Sequence, residues 1–82
     1  MDNTVYHHAD VTIDPALPTP HAKDIAEVFG TSAGQMDQSY GVKPIDRSQG
    51  VYRVGVTGAG AAQIKKGPQA GNAQINSDFY IR

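Results

Sequence analysis

Two segments near the ends of this 82-residue chain alternate regularly between apolar and polar side chains. In residues 4–13, every second residue from Val5 to Ile13 belongs to one mainly apolar face, and residues 73–81 repeat the pattern. Successive side chains of a β-strand point to opposite faces, so both segments predict half-buried strands. A sheet with one buried face needs a covering layer, which the residues between the two strands have to supply.

A short helix is predicted at about residues 20–29. Thr19 followed by Pro20 is typical of an N-cap and a first helical position, and Gly30 is typical of a left-handed C-cap. The apolar residues between them follow the i, i+3, i+4, i+7 spacing of one helix face. They are Ala22, Ile25, Ala26 and Phe29.

The middle of the chain, residues 30–50, shows no sustained period and predicts a long irregular loop. Residues 51–57 alternate again and predict a strand, whereas residues 61–66 predict a weaker one. The sequence therefore predicts a single α+β domain over residues 1–82, in the order β-α-β-β-β. We expect a mainly antiparallel sheet, one short helix and a long irregular loop.

The core that such a domain can bury is thin, because Leu, Ile, Val and Phe account for only 16 of the 82 residues. The chain contains no Cys, so disulfides and thiolate metal sites are excluded. Small domains with thin cores usually gain stability from a bound metal or a partner chain. The composition therefore favours a protein that is stabilised by association.

The net charge of −1 conceals an asymmetry, since residues 1–41 carry −5 and residues 42–82 carry +4. We expect opposite charges of the two halves to pair within the fold, because folding brings distant segments together. The alternative is that oppositely charged faces attract neighbouring copies or a charged partner.

Two glycine-rich stretches partly match known sequence motifs, one of dinucleotide-binding loops and one of the nucleophile turn of hydrolases. In TGAG, residues 57–60, the last glycine that G-x-G-x-x-G requires is replaced by Gln63, so we expect a hairpin turn whose glycines supply positive φ. In GTSAG, residues 30–34, the Ser follows a predicted helix and all three His precede it, unlike the hydrolase order. The sequence indicates no coherent catalytic set and no cofactor site, and we expect the protein not to be an enzyme.

One alternative is a small nucleic-acid-binding module that uses the basic C-terminal half, with Tyr52 and Tyr80 available for stacking. The net charge of −1 does not favour it, because domains built for nucleic acid are usually basic. The basic patch would consist of Arg47, Arg53, Lys65, Lys66 and Arg82.

A second alternative is a His-dependent metal-binding protein, for which His8, Asp10 and His21 are weak candidate ligands. His8 and Asp10 share the polar face of the first strand, but neighbours on one strand supply only two ligands. A helix N-terminus also disfavours a cation at His21. An ordinary strand surface is the preferred interpretation, and no metal site is predicted.

The leading hypothesis is a non-catalytic structural or interaction protein that self-associates or acts as a minor subunit of a larger assembly. A virion capsid or decoration protein is one concrete form of it. The expected interaction residues are Met36, Tyr40, Phe79 and Tyr80. No apolar run approaches the roughly 18–20 residues of a membrane span and no signal peptide is visible, so we expect a soluble protein of the cytoplasm or a virion.

Overall fold

A computed structural model of the protein describes residues 3–18 and 20–82, in which strands and helices alternate along the chain. The strands are β1 (Val5–Thr12), β2 (Lys43–Asp46), β3 (Val51–Thr57) and β4 (Ala73–Ile81). The helices are α1 (Ala22–Phe29) and α2 (Gly58–Lys66). Among the described residues, no helix is long and apolar enough to cross a membrane.

The four strands form one sheet in the order β2-β3-β1-β4, and every neighbouring pair is antiparallel. With the element order β-α-β-β-α-β, this is the split βαβ, or ferredoxin-like, topology. The predicted α+β class and mainly antiparallel sheet are confirmed. β1 and β3 are central, and β4 and β2 form the two edges of the sheet.

The strand predicted at residues 61–66 is wrong, because this segment belongs to α2. Apolar and polar residues alternate only briefly in this segment, which begins with two alanines. Because alanine has the highest helix propensity, the local sequence favours a helix. Ala61 and Ile64, one helical turn apart, are buried against the sheet. The remaining strand comes instead from residues 30–50, where β2 interrupts a segment that is otherwise irregular apart from short 3₁₀ turns.

The TGAG stretch joins a strand to a helix and is not the hairpin turn that the sequence predicted. Thr57 Oγ1 accepts a hydrogen bond of 3.0 Å from the backbone N–H of Gly60, which caps the first turn of α2. Neither Gly58 nor Gly60 has a positive φ. The cap at Thr57 therefore marks the point at which β3 ends and α2 begins.

Helix α1 begins later than predicted, with His21 as its N-cap and Ala22 as its first residue. The carboxylate of Asp24 accepts a hydrogen bond of 2.9 Å from the backbone N–H of His21, which closes the helix start. Thr19, the predicted N-cap, lies outside the described residues. Gly30 is confirmed as the left-handed cap, with φ 77°.

Both helices pack on the same face of the sheet. The core joins Ala9 and Val11 of β1 and Val54 and Val56 of β3 to the apolar sides of the helices. The largest fully buried side chains are Phe29, Ile25, Ile64, Val11, Val54 and Val56. The opposite face of the sheet carries the polar residues of the same strands, and we call it the open face.

Removing the side chain that caps α2 tests whether a helix begins at Gly58. A helix loses a hydrogen bond in its first turn when the cap is removed, whereas a strand has no such bond to lose. Thr57→Ala should lower the free energy of unfolding by about 1 kcal/mol, since the N–H of Gly60 loses its acceptor. The measurement is urea unfolding followed by circular dichroism. Thr12→Ala, at the exposed end of β1, is the control and should change stability by less than about 0.5 kcal/mol. Equal effects of the two substitutions would contradict the helix.

Candidate interaction surface

The carboxylate of Asp37 lies at the centre of a hydrogen-bonded group on the open face, although only 3% of the residue is exposed. Its Oδ2 accepts hydrogen bonds from the hydroxyl of Tyr80 at 2.7 Å and from Nε of Arg82 at 2.5 Å. Its Oδ1 accepts two more, each of 3.1 Å, from the backbone N–H groups of Ser39 and Tyr40. We call these residues the Asp37 cluster; they tie the long loop to β4.

The cluster exists because β3 has no side chain at Gly55. The backbone oxygen of Gly55 accepts a hydrogen bond of 2.9 Å from the N–H of Asp37. A Cβ at this position would overlap the hydroxyl of Tyr80 and would lie 3.1 Å from Cβ of Asp37. Gly55 is therefore required so that Tyr80 can reach across the open face to Asp37.

Aromatic rings extend the cluster over β1. The imidazole of His8 stacks on the ring of Tyr80 with centroids 4.8 Å apart and lies 5.3 Å from the ring of Tyr40. Tyr6 also stacks on Tyr80, with ring centroids 5.7 Å apart, and Nζ of Lys43 lies 5.0 Å from the centre of the Tyr40 ring. Contacts between aromatic rings, and between a cation and a ring, are stabilising, and here they hold the side chains of the open face together without a covering helix.

The hydrogen bonds of the Asp37 cluster shift the pKa values of Asp37 and Tyr80. Burial alone would raise the pKa of Asp37, but the hydrogen bonds from Tyr80, Arg82 and the N–H of Tyr40 outweigh it and the pKa is lowered. Burial, followed by the hydrogen bond to Asp37, raises the pKa of Tyr80. The tyrosine therefore stays a donor, and the two oxygens of the Asp37 carboxylate together accept four hydrogen bonds.

The expected pairing of the two oppositely charged halves is confirmed. Arg53 donates two hydrogen bonds to the carboxylate of Asp10, of 2.7 and 3.1 Å, and Arg82 pairs with Asp37. The pKa of Arg53 is raised by its hydrogen bond to Asp10. Both of these guanidinium groups on the open face therefore already face a carboxylate.

The residues of the predicted basic patch do not come together. Lys65 and Lys66 end α2, on the helical side of the sheet, and Arg47 begins a 3₁₀ turn next to β2. Of the five, Arg53 and Arg82 share the open face, and both are paired. A continuous basic stripe, which nucleic-acid binding would use, does not result from this arrangement.

The weak candidate metal ligands do not form one group: His8 and Asp10 share the open face of β1, but each has another partner, and His21 lies elsewhere. Nδ1 of His8 lies 3.0 Å from Oδ2 of Asp78, and Asp10 holds Arg53. His21 caps α1 on the helical side of the sheet. Within residues 3–18 and 20–82, no group of three or more acidic or histidine side chains is placed to hold a metal ion.

An apolar patch lies where β1 begins and β4 ends. Val5 pairs with Ile81 and His7 with Phe79, so these side chains share the helical side of the sheet with Ala9. Neither helix covers this end: Val5 is 42% exposed, Phe79 62% and Ile81 59%. We call Val5, Phe79 and Ile81 the terminal patch. The sequence analysis named Phe79 as an interaction residue, which stays a prediction, and it did not single out Val5 or Ile81.

The two edges of the sheet are unequal. The edge strand β2 has four residues, includes Lys43 and Pro44, and contains an irregularity between Pro44 and Asp46. Short length, lysine, proline and bulges are the devices that protect edges from pairing with other chains. The other edge, β4, also has an irregularity, between Ile75 and Phe79, but it is longer, with nine residues, contains no proline and has two exposed large apolar side chains beyond the irregularity.

The hydrogen-bonding direction of β4 follows from its pairing with β1. Thr4 and Arg82 exchange two backbone hydrogen bonds of 3.0 Å. Antiparallel pairs alternate, so Tyr80 also bonds towards β1, opposite Tyr6. The peptide groups of Phe79 and Ile81 consequently point away from β1, to the side of β4 that pairs with no other strand among the described residues; we call this side the free edge. The exposed side chains that β4 contributes to the terminal patch thus belong to the residues whose backbone groups are directed outwards.

The four residues predicted to mediate interactions have different positions. Met36 is wrong as a surface anchor, because it is only 3% exposed, pairs with Val56 and belongs to the core. An apolar residue within a polar loop is as compatible with packing under the loop as with binding a partner, and here it packs. Tyr40 and Tyr80 lie half-buried in the Asp37 cluster, and Phe79 is exposed.

Comparison of the chain with protein-family models, with curated proteins and with solved structures finds no match. Its function is therefore inferred from its own residues. Topology alone does not supply one, since the same fold hosts many unrelated functions.

Gly55→Ala should separate Tyr80 from Asp37, because the new methyl group occupies the position of the tyrosine hydroxyl. We expect a loss of about 1–3 kcal/mol in the free energy of unfolding, typical of overpacking. The measurement is urea unfolding, with tyrosine fluorescence to follow the displaced ring. Gly58→Ala is the matched control, because no atom lies within 4 Å of a Cβ there. Unchanged stability of Gly55→Ala would contradict the close approach.

The lowered pKa of Asp37 predicts acid sensitivity. Its contribution to stability is present above the ordinary carboxyl pKa of 3.8 and is lost as the pH falls through the lower folded-state value. Wild-type stability should therefore decline below about pH 4, and Asp37→Asn should reduce the steepness of this decline. Tyr80→Phe keeps the carboxyl group but removes one donor, so it should reduce the steepness less. Thermal unfolding at several pH values measures the effect, and equal slopes in all three proteins would contradict it.

Proposed function

We propose that this protein is a non-catalytic interaction protein that self-associates through the free edge of β4. The observation that carries the proposal is the coincidence, in Phe79 and Ile81, of outward-directed peptide groups with side chains about 60% exposed. Addition of a strand to such an edge provides main-chain hydrogen bonds, and neighbouring apolar side chains add affinity.

The thin core supports the same proposal. Large apolar residues are scarce in this chain, yet several in its described part are exposed: Val5, Leu17, Val28, Ile45, Phe79 and Ile81. Single exposed apolar residues are ordinary on protein surfaces, whereas adjacent ones mark interaction sites. Val5, Phe79 and Ile81 are adjacent through the pairing of β1 with β4. Burial of this patch would supply stability that the core of a small domain lacks.

The alternative functions gain no comparable support. Arg53 and Arg82 are paired with carboxylates, and the lysines of α2 lie on the other side of the sheet. The nucleic-acid and metal-binding alternatives stay predictions, as does the virion form of the assembly hypothesis. An assembly with a different partner chain would use the same edge and would leave the isolated protein monomeric.

The test is light scattering of the wild-type protein over a concentration series, with the melting temperature measured alongside. We expect a defined oligomer whose melting temperature rises with concentration. Ile81→Lys should weaken association at least about tenfold, because it places a charge within the terminal patch at the free edge. Ile81→Pro should do the same by removing an outward-directed N–H, which β1 does not use.

Ile45→Lys is the matched control for Ile81→Lys. Both isoleucines are exposed to a similar degree, 52% and 59%, but they lie on opposite edges of the sheet. Ile45→Lys should leave the mass in solution unchanged. A wild-type monomer with a concentration-independent melting temperature would overturn the proposal, and so would equal effects of the two lysine substitutions.

A further inference from the structure

We infer that the partner at this edge is a second copy of the chain, joined about a two-fold axis at Tyr80, so that two sheets form one antiparallel sheet of eight strands. This inference rests on the proposed function and adds the stoichiometry and the register. The axis would place Phe79 opposite Ile81 of the partner subunit on both sides of Tyr80.

The hydrogen-bonding pattern permits this register. Tyr80 bonds towards β1, so at the axis it would face its own copy as a non-hydrogen-bonded pair. Phe79 and Ile81 direct their peptide groups outwards, and facing each other they would exchange N–H···O=C bonds on both sides of the axis. Pairing with β1 thus leaves the peptide groups of Phe79 and Ile81, and not those of Tyr80, directed outwards. A two-fold axis at Tyr80 uses the same set of outward-directed groups.

The side chains favour this register over its neighbours. Phe79 and Ile81 share one face of the sheet and lie beside Val5, so two copies would bring six apolar side chains into one patch. A register centred on Phe79 would instead place Ile81 opposite Ser77 and leave the patch discontinuous. Cross-strand apolar pairs stabilise sheets, and a polar residue opposite Ile81 forfeits that contribution.

Charges at the facing positions agree with the same register. With the axis at Tyr80, Asp78 would face Arg82 of the partner subunit. Within one chain Asp78 contacts His8 and Arg82 pairs with Asp37, but the two side chains are still 60% and 48% exposed. A register centred on Asp78 would place two carboxylates opposite each other, which is destabilising. The acidic and basic residues flanking Tyr80 thus make the end of β4 self-complementary in the antiparallel direction.

The protected edge of β2 explains why association would stop at two copies. Head-to-tail pairing of β4 with β2 would leave free edges and produce an open filament, whereas a two-fold contact between β4 strands closes on itself. The lysine, the proline and the irregular pairing of β2 oppose the first arrangement. The wild-type mass in solution should accordingly reach about twice 8.7 kDa and then stay constant.

Disulfide formation tests the register directly, because the chain contains no Cys. Phe79→Cys and Ile81→Cys, mixed in equal amounts and oxidised, should form several-fold more disulfide dimer than either variant alone. Facing hydrogen-bonded pairs have Cα atoms about 5.5 Å apart, within the disulfide range. In Phe79→Cys alone, the two new thiols would belong to diagonal neighbours about 7–8 Å apart, which is too far. Ile45→Cys, mixed with either variant, is the control and should not form a specific disulfide.

The outcomes separate the register from the proposed function. A dimer in which Phe79→Cys cross-links alone as well as in the mixture would overturn the register but leave association through β4 intact. A specific disulfide between the Ile45→Cys and Phe79→Cys variants would overturn the two-fold arrangement in favour of head-to-tail pairing. A wild-type monomer in light scattering would overturn the inference and the proposed function together.

Discussion

The buried carboxylate of Asp37 joins segments that are far apart in the chain, and the open side of the domain depends on it. A buried charge is tolerated only when its oxygens are hydrogen-bonded, and here the donors come from the loop that follows it and from the end of β4. Gly55 leaves the space in which Tyr80 reaches this carboxylate. The long loop is therefore held against the sheet by hydrogen bonds, while the helical side is held by apolar packing.

These contacts also fix the orientation of the residues at the end of β4. Tyr80 and Arg82 turn across the open face towards Asp37, so the alternate residues Phe79 and Ile81 are committed to the other face. That face is covered by α1 and α2 only further along the sheet, because both helices are short. The contacts that order the last strand thus expose its apolar residues at a free edge. An interaction function suits this geometry, since another chain would bury the terminal patch that the helices leave uncovered.

The charge pattern acquires its meaning from the fold. The acidic N-terminal half and the basic C-terminal half meet in two ion pairs, Asp10 with Arg53 and Asp37 with Arg82. Partner-attracting faces of opposite sign are therefore not needed to explain the asymmetry along the chain. Asp78 and Arg82 are well exposed near the β4 edge. Because they lie on either side of Tyr80, they would face each other in an antiparallel contact between two β4 strands.

Strong periodicity was enough to predict β1, β3, β4 and α1, with its glycine cap, together with the α+β class. It did not predict α2 or β2, because residues 61–66 have too few large side chains to distinguish a helix from a strand, and β2 is too short to establish a period. The site was harder still. DQSYG at residues 37–41 is compatible with a local turn around Asp37, but the contacts of Asp37 with Gly55, Tyr80 and Arg82 span the chain. Those contacts, the burial of Met36 and the exposure of the terminal patch depend on the tertiary structure. Local alternation shows which face a residue occupies, whereas only packing shows whether another element covers that face.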